Sequence, residues 1–304
     1  MNVLITGSNG LIGSALMPFL RDGGHQFRRL LRTESHESDT TSWNPETGTF
    51  ARGAFDGIEA VVHLAGEGIA SGRWTEGRKM SIRDSRVVGT RNLCEALAVL
   101  DTPPRVLVAA SAIGFYGDRG DELLDESVLP GSGFLPDVCQ AWEAAVAPAH
   151  ARGIRVVNLR TGIVLSSQGG ALAQMLTPFK LGVGGVLGSG NQYMSWIAID
   201  DMLGVVLHAL TDTSVRGPVN TVVPRAVTNY EFTKTLGKVL HRPTVFPMPA
   251  FAVKLVFGEM GDELLLGSTR VTPTCLNETG FGFAYPDLED ALRHVLGREQ
   301  INVT

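Results

Sequence analysis

The sequence predicts an α/β fold, a doubly wound parallel sheet with a smaller C-terminal substrate lobe, and three observations predict it. Short apolar runs alternate with helical patterns through residues 1–165. A glycine turn at residues 7–13 separates the first run from the first helical pattern. Beyond Ser166 the alternation gives way to glycine-rich loops and short helical pieces. Strands that are apolar along their whole length are buried on both faces, which requires a parallel sheet with helices above and below. Right-handed crossovers then wind the sheet in both directions. The expected division is a sheet domain over 1–165, completed by elements from about 196–223, and a lobe over 166–304.

Each element has a local cause. Asn2–Thr6 is β-rich and apolar; Leu11, Ile12, Leu16 and Leu20 then recur at helical spacing until Gly23-Gly24 stops the helix. His25–Arg32 reads as the second strand, and Ala60–Ala65 as the third, after the turn-forming Asp56-Gly57. Val87, Val88, Leu93, Leu97 and Leu100 mark an amphipathic helix over 83–100. Arg105–Ala110 is the fourth strand, Pro136 fits the first turn of a helix running to about His150, and Ile154–Leu165 is the fifth strand. In the second lobe, residues 200–211 read as a helix opened by Asp200 and Asp201, and Val219–Val223 as a short strand. Thr228-Asn229-Tyr230-Glu231 is a capping box for the next helix.

With 44% hydrophobic and 19% charged residues among 304, the chain can bury a core without metals or disulfides. A net charge of −5 and the lack of a basic run argue against a nucleic-acid partner. Cys94, Cys139 and Cys275 are odd in number and lack metal-ligand spacing, as expected of free thiols in a reducing compartment. No metal is expected at Asp200-Asp201, since no His or Cys cluster accompanies the pair. The opening MNVLITG is a strand rather than a signal segment, and the apolar stretches 171–179 and 249–257 are too short to span a bilayer. The expectation is a cytoplasmic protein with a small-molecule substrate and no membrane partner; a homodimer stays open.

Gly7-Ser8-Asn9-Gly10-Leu11-Ile12-Gly13 has the spacing GxxGxxG, directly after a strand and opening a helix. The first glycine permits the tight turn, the second lets backbone approach a pyrophosphate, and the third lets helix pack on strand. The amides at the helix start then face the anion. In this context the turn points to a dinucleotide. The second strand ends in Leu30-Leu31-Arg32, with no Asp or Glu to hold ribose hydroxyls about 20 residues past the glycines. Arg32, in that place, suits the 2′-phosphate of NADP(H), which is therefore expected ahead of NAD(H). Arg28 and Arg29 read as surface residues, and His63, in an apolar strand, as a packed residue rather than a catalyst. The glycine-rich stretch 182–190 suits either an anionic substrate group or a turn between lobes.

Taken together, ITGSNGLIG at the start, VVHLAG after the third strand and Ser111-Ala112-Ile113-Gly114-Phe115-Tyr116-Gly117 after the fourth carry a resemblance. Asn158-Leu159-Arg160-Thr161-Gly162 and Trp196-Ile197-Ala198-Ile199-Asp200-Asp201 extend it. The chain resembles the extended short-chain dehydrogenase/reductase superfamily over its full length, with a Rossmann sheet. Arg73-Trp74-Thr75, Arg83–Arg86, residues 169–190, Phe257-Gly258-Glu259-Met260 and Tyr285-Pro286-Asp287-Leu288 make it most similar to the atypical branch called epimerase family proteins.

The resemblance implies that Gly7, Gly10, Leu11, Ile12 and Gly13 hold the pyrophosphate. It places Leu31 and Arg32 at the 2′-phosphate, and Leu64, Ala65 and Gly66 along the adenosine side. Ser81 and Arg86 would be further cofactor contacts, Arg86 having a competing role as an ordinary helix residue. The superfamily's chemistry relies on a Tyr-x-x-x-Lys pair, whose tyrosine exchanges a proton while hydride moves. Here the corresponding stretch, 134–143, contains neither residue; Leu135 falls near the tyrosine position and Cys139 near the lysine position. Tyr116 is the leading replacement acid and Ser111 a group to polarise a substrate oxygen, with Tyr193, Cys139, Glu67 and Asp137 as weaker candidates. An oxidoreductase or epimerase, hydride transfer without a strong protein acid, and a non-catalytic NADPH-binding regulator acting through a protein partner all fit the sequence.

Overall fold

The computed structural model describes residues 1–35, 37–70 and 72–298. Its central sheet is built from Asn2–Thr6 (β1), Gln26–Leu31 (β2), Thr40–Asn44 (β3), Thr49–Phe50 (β4), Ala60–His63 (β5), Val106–Ala112 (β6), Arg155–Thr161 (β8) and Gly217–Thr221 (β12), with Leu123–Leu124 (β7) lying outside it. The strand order is β12-β8-β6-β5-β1-β2-β3-β4, parallel throughout except for the β3–β4 pair. The Rossmann-like sheet that the alternation predicts is therefore present. Alternating residues of β1 explain its two layers. Val3 and Ile5 pack against Leu11–Asp22 (α1) and Ile199–Thr211 (α6). Leu4 faces the opposite way, towards Leu93 and Leu97 of Glu76–Ala98 (α2) and Ala149 of Ala147–Ala151 (α4).

A separate cluster of buried residues lies beyond the sheet. Leu172 and Leu176 of Gly170–Lys180 (α5) meet Phe232 and Leu236 of Asn229–Leu240 (α7). Leu288 and Leu292 of Leu288–Val295 (α11) close that core over Trp196 of Trp196–Ala198 (β11). Thr228 caps α7 by accepting the Glu231 amide at 3.1 Å, as the capping-box pattern predicts. Asp201, in the first turn of α6, accepts the amides of Ala284 and Tyr285 at 2.7 and 3.0 Å and so anchors the C-terminal segment. No helix among the described residues is long and apolar enough to cross a membrane.

Four local expectations change. The expected fifth strand is two, β8 and Ile163–Leu165 (β9), because the chain turns at Gly162 to pair β9 with β11. A Cβ at Gly162 would lie 2.6 Å from the Ser195 carbonyl oxygen, so the crossing needs glycine. Helix α2 begins at Glu76 rather than Arg83; its first turns are polar, and its apolar face starts only at Ile82. The helix expected to reach His150 is interrupted after Phe134–Ala144 (α3) before α4 begins. Strands β3 and β4 went unrecognised because only Trp43 of Thr40–Asn44 is buried.

Candidate functional site

At the carboxyl end of β1, Gly7 takes φ +67°, and a Cβ there would lie 2.6 Å from the Leu64 carbonyl carbon. A Cβ on Gly13 would lie 2.4 Å from the Gly7 oxygen. Both glycines are thus obligatory, one for the turn and one for the approach of α1 to it. Gly10 donates its amide to the Gly7 oxygen at 3.0 Å and precedes a helix that has no side-chain cap. The first amides of a helix have no partner within it, and those of Leu11, Ile12 and Gly13 find none elsewhere among the described residues. That arrangement fits the pyrophosphate of a dinucleotide.

Arg32, just past β2, is exposed and makes no hydrogen bond or ion pair among the described residues. Its neighbours differ from the surface residues expected. Half-buried Arg28 donates to the carbonyls of Gly53 and Ala54. Arg29 pairs with Asp39 at 3.0 Å and with Glu37. Arg32 is therefore the cation of this strand left for a ligand.

The end of β5 is tied to β1 by Thr6, whose Oγ1 accepts the amides of Leu64 and Ala65 at 3.1 and 3.2 Å. With both amides pointing at it, the hydroxyl donates to His63 Nδ1 at 2.7 Å, and His63 Nε2–H donates to Thr90 Oγ1 at 2.9 Å. This network makes His63 the neutral Nε2–H tautomer, as the packed residue that the strand pattern predicts. Complete burial pushes its pKa down to about 4. Folded His63 then binds no proton between pH 6.5 and 4, whereas unfolded His63 does, so stability falls as pH drops through that window. The expected loss is about 3 kcal/mol. Urea denaturation at pH 7 and pH 4.5 should show that slope in the native chain and a shallower one in His63→Gln; equal slopes would refute the assignment.

Across the cleft, Arg86 of α2 reaches over Gly66, while Ser81 is exposed and donates to the carbonyl of Gly77 in its own helix. The hydroxyl that holds this loop is instead Ser85, which accepts the Glu67 amide at 3.1 Å. Leu135 and Cys139 lie side by side against Gly114. A Cβ on that glycine would be 3.3 Å from Leu135 Cβ and 3.8 Å from Cys139 Sγ. The two positions of the missing pair are thus filled by buried, non-ionised groups. Burial and the nearby Glu143 carboxylate push the Cys139 thiol up to about 12, so it is no acid for neutral pH.

Tyr116 and Ser111, expected as acid and polariser, serve the framework instead. The Tyr116 ring has no exposed surface, and its hydroxyl lies 2.7 Å from Asn220 Oδ1 and 3.0 Å from the Asp125 carbonyl. It also accepts from Arg160 Nη1 at 3.0 Å, and burial raises its pKa. Ser111 Oγ donates to Glu143 Oε1 at 2.7 Å. Arg160 grips the same carboxylate with two parallel bonds, Nε to Oε1 at 2.8 Å and Nη2 to Oε2 at 2.9 Å. A phenol with every partner inside the core has no path to exchange a proton with a ligand. The Arg160–Glu143 pair escaped sequence reasoning, although an arginine inside an apolar strand is itself a signal that a buried carboxylate faces it.

Between the turn after β6 and the second lobe lies a cavity of about 590 Å³. Gly114, Gly117 and Leu135 line one side; Ser189, Gln192, Lys254, Asp262 and Glu263 line the other. Lys254 pairs with Asp262 at 2.9 Å, and the Glu263 carboxylate accepts the amides of Phe134 and Leu135 at 3.3 and 3.1 Å. These three charged side chains belong to the C-terminal segment and carried no motif. A larger cavity, about 1170 Å³, opens at the amino ends of the strands beside Met1, Arg105 and Arg155. Open α/β sheets bind ligands at the carboxyl ends, so the smaller one is the candidate substrate site.

Comparison with known proteins agrees with the fold. Residues 3–222 match the NAD dependent epimerase/dehydratase family, and residues 248–295 match a domain of unknown function, DUF1731. An epimerase family protein of Mycobacterium bovis is 43% identical, the alignment covering 97% of this chain and 98% of the relative. The crystal structure of human epimerase family protein SDR39U1 with NADPH superposes with a TM-score of 0.90 at 33% identity, covering 98% of this chain and all of the human one. A nucleoside-diphosphate sugar epimerase from Corynebacterium glutamicum gives a TM-score of 0.83 at 38% identity, covering all of this chain and 59% of its own. With a family model spanning the sheet domain and relatives aligned end to end, the chain belongs to the NAD dependent epimerase/dehydratase family.

Proposed function

We propose that the chain binds NADP(H) at its glycine turn and is an oxidoreductase or epimerase acting on a small polar substrate in the cavity of about 590 Å³. The observation that carries this reading is that the amides of Leu11, Ile12 and Gly13 and the Arg32 guanidinium all lack partners among the described residues. One site suits a pyrophosphate and the other a 2′-phosphate. The NADPH held by the human relative supports the same choice. When bound, the cofactor supplies hydride exchange. The chain's own contribution is to hold it between Leu31, Arg32 and Leu64–Gly66 and to orient the substrate. Lys254, Asp262 and Glu263 are the groups that meet a polar substrate, with Tyr116 and Ser111 supporting the wall behind it.

A second reading, a non-catalytic NADPH-binding regulator, is favoured by one observation: apolar, non-ionised Leu135 and Cys139 occupy the positions of the usual acid–base pair.

Replacing Arg32 with alanine is expected to weaken NADPH binding by about 2–3 kcal/mol and leave NADH almost unchanged, since only NADPH presents the 2′-phosphate. Fluorescence titration of both cofactors checks this; equal losses would show that Arg32 does not read the phosphate. Enzyme and regulator separate on turnover. NADPH oxidation with any member of a carbonyl and sugar-nucleotide panel supports the enzyme, and silence across the panel with intact NADPH binding supports the regulator.

A further inference from the structure

The cavity of about 590 Å³ borders three devices that commonly hold an anion, and the protein's own groups occupy each of them. The first is the N-terminus of α3, where the Glu263 carboxylate accepts the amides of Phe134 and Leu135 at 3.3 and 3.1 Å. A helix start attracts negative charge, and here the C-terminal segment supplies it. The second is Lys254, the one cation among the described residues that line the cavity, which is paired with Asp262 at 2.9 Å. The third is the glycine-rich stretch 182–190. There the Leu187 amide donates to Asn229 Oδ1 at 2.9 Å, the Gly188 amide to the Met248 carbonyl at 2.9 Å and the Gly190 amide to the Leu187 carbonyl at 3.0 Å. These bonds make the stretch a braced turn rather than an anion cradle.

The charge that remains is negative. Asp118, Asp262 and Glu263 line the cavity against Lys254 alone. Asp118 accepts the amides of Gly120 and Ser268 at 3.1 and 3.2 Å, which hold it in place without a cation to neutralise it among the described residues. Arg119 and Arg270, which flank these segments in sequence, are committed elsewhere, to Glu122 at 2.9 Å and to the Tyr193 ring, and neither lines the cavity. A phosphate or carboxylate entering here would meet an excess of like charge. To gain a partner it would have to displace Asp262 from Lys254 or Glu263 from α3.

We propose that this cavity selects a substrate without an anionic group, a polar carbonyl compound or alcohol that is uncharged or carries an amine, and excludes nucleoside-diphosphate sugars. Asp262, by holding Lys254, is the residue that sets this choice. The inference rests on the reading of the cavity as the substrate site. An uncharged polar molecule leaves the Lys254–Asp262 and Glu263–α3 contacts intact and can bond to their remaining lone pairs. An amine adds attraction to the carboxylates, whereas a diphosphate adds repulsion. A unit charge in a partly exposed cleft changes the binding of a neighbouring charge by roughly tenfold.

The test uses the native chain, Asp262→Asn and Lys254→Met, each saturated with NADPH so that the cofactor site is filled. Equilibrium dialysis of UDP-glucose is the anion probe. NADPH oxidation is followed with three benzaldehydes that differ only in a para carboxylate, hydroxymethyl or trimethylammonium group. The native chain is expected to bind UDP-glucose no tighter than about 1 mM. It should reduce the neutral and cationic aldehydes with kcat/KM roughly tenfold above that for the carboxylate. Asp262→Asn frees Lys254 and should raise UDP-glucose affinity about tenfold, while Lys254→Met should widen the preference for the cationic aldehyde. Tight UDP-glucose binding to the native chain, a flat or reversed order of the aldehydes, or a UDP-glucose affinity unchanged in Asp262→Asn would overturn the proposal. If no aldehyde is reduced while NADPH binds, the enzyme reading fails, and the dialysis of native chain against Asp262→Asn still decides the charge selectivity of the cavity. Matched melting temperatures show that the variants are folded.

Discussion

Replacing Arg160 with methionine is expected to lower folding stability by about 3–5 kcal/mol, the cost of leaving a buried carboxylate without its partner. The Arg160 side chain is 5% exposed and that of Glu143 14%, so water screens the orphaned charge only weakly. The guanidinium also donates to Tyr116 and lies 3.5 Å from the Phe115 ring centroid, and both contacts would be lost together. Changing both partners, Arg160→Met with Glu143→Leu, should recover a large part of the loss, because no charge then remains buried. Denaturant unfolding of the two variants checks this, and equal losses would show that packing rather than charge dominates. Tyr116→Phe belongs in the same series. It removes one hydroxyl from the network and should cost about 1–3 kcal/mol while leaving NADPH affinity unchanged. Turnover abolished in Tyr116→Phe without any stability change would return Tyr116 to the role of proton donor.

The second large effect is expected at Gly13. Alanine there would set a Cβ 2.4 Å from the Gly7 oxygen and 2.7 Å from Ser8 Cα, both backbone atoms of the turn that would hold the cofactor. Neither can rotate away as a side chain would, so the turn itself must shift. Overpacking of this kind costs about 1–3 kcal/mol of stability. Cofactor affinity should fall further, by about a hundredfold, since the amides of Leu11 and Ile12 move with the turn. Gly77→Ala is the control: it lies in α2 with nothing within 4 Å of the new Cβ and no positive φ. It should stabilise by up to about 1 kcal/mol and leave NADPH binding alone. Wild-type affinity in Gly13→Ala would place the cofactor away from the glycine turn.

Long apolar periods were legible in the sequence because burial on two faces leaves no choice of residue. The parallel strands β1, β5, β6 and β8 were all recognisable this way. Elements whose stability comes from one neighbour were not. Strand β3 is polar apart from buried Trp43, and the opening turns of α2 carry charges that pair across the cleft, as Lys79 does with Glu259 at 2.9 Å. The candidate site divides along the same line. A glycine turn is a local backbone requirement, and Arg32 needs only to follow a strand, so both could be read from spacing. Lys254, Asp262 and Glu263 come from a segment more than 100 residues past α3, and nothing local marks them.

What the amino-acid sequence determined by itself is the dinucleotide fold, its glycine cradle and the lack of a tyrosine and a lysine in residues 134–143, since each depends on residue type within a few positions. Tertiary structure decided the surroundings of the candidate replacements. Tyr116 stands at a strand end where ligands bind, yet its hydroxyl is turned inward to Asn220, a residue 104 positions away. Arg86 reads equally as a cofactor contact and as an ordinary helix residue, and only the packing of α3 shows that its guanidinium lies over Trp142. The physical reason is common to both. A side chain's protonation and charge are set by what burial removes and what partners it meets, and those partners arrive from distant parts of the chain.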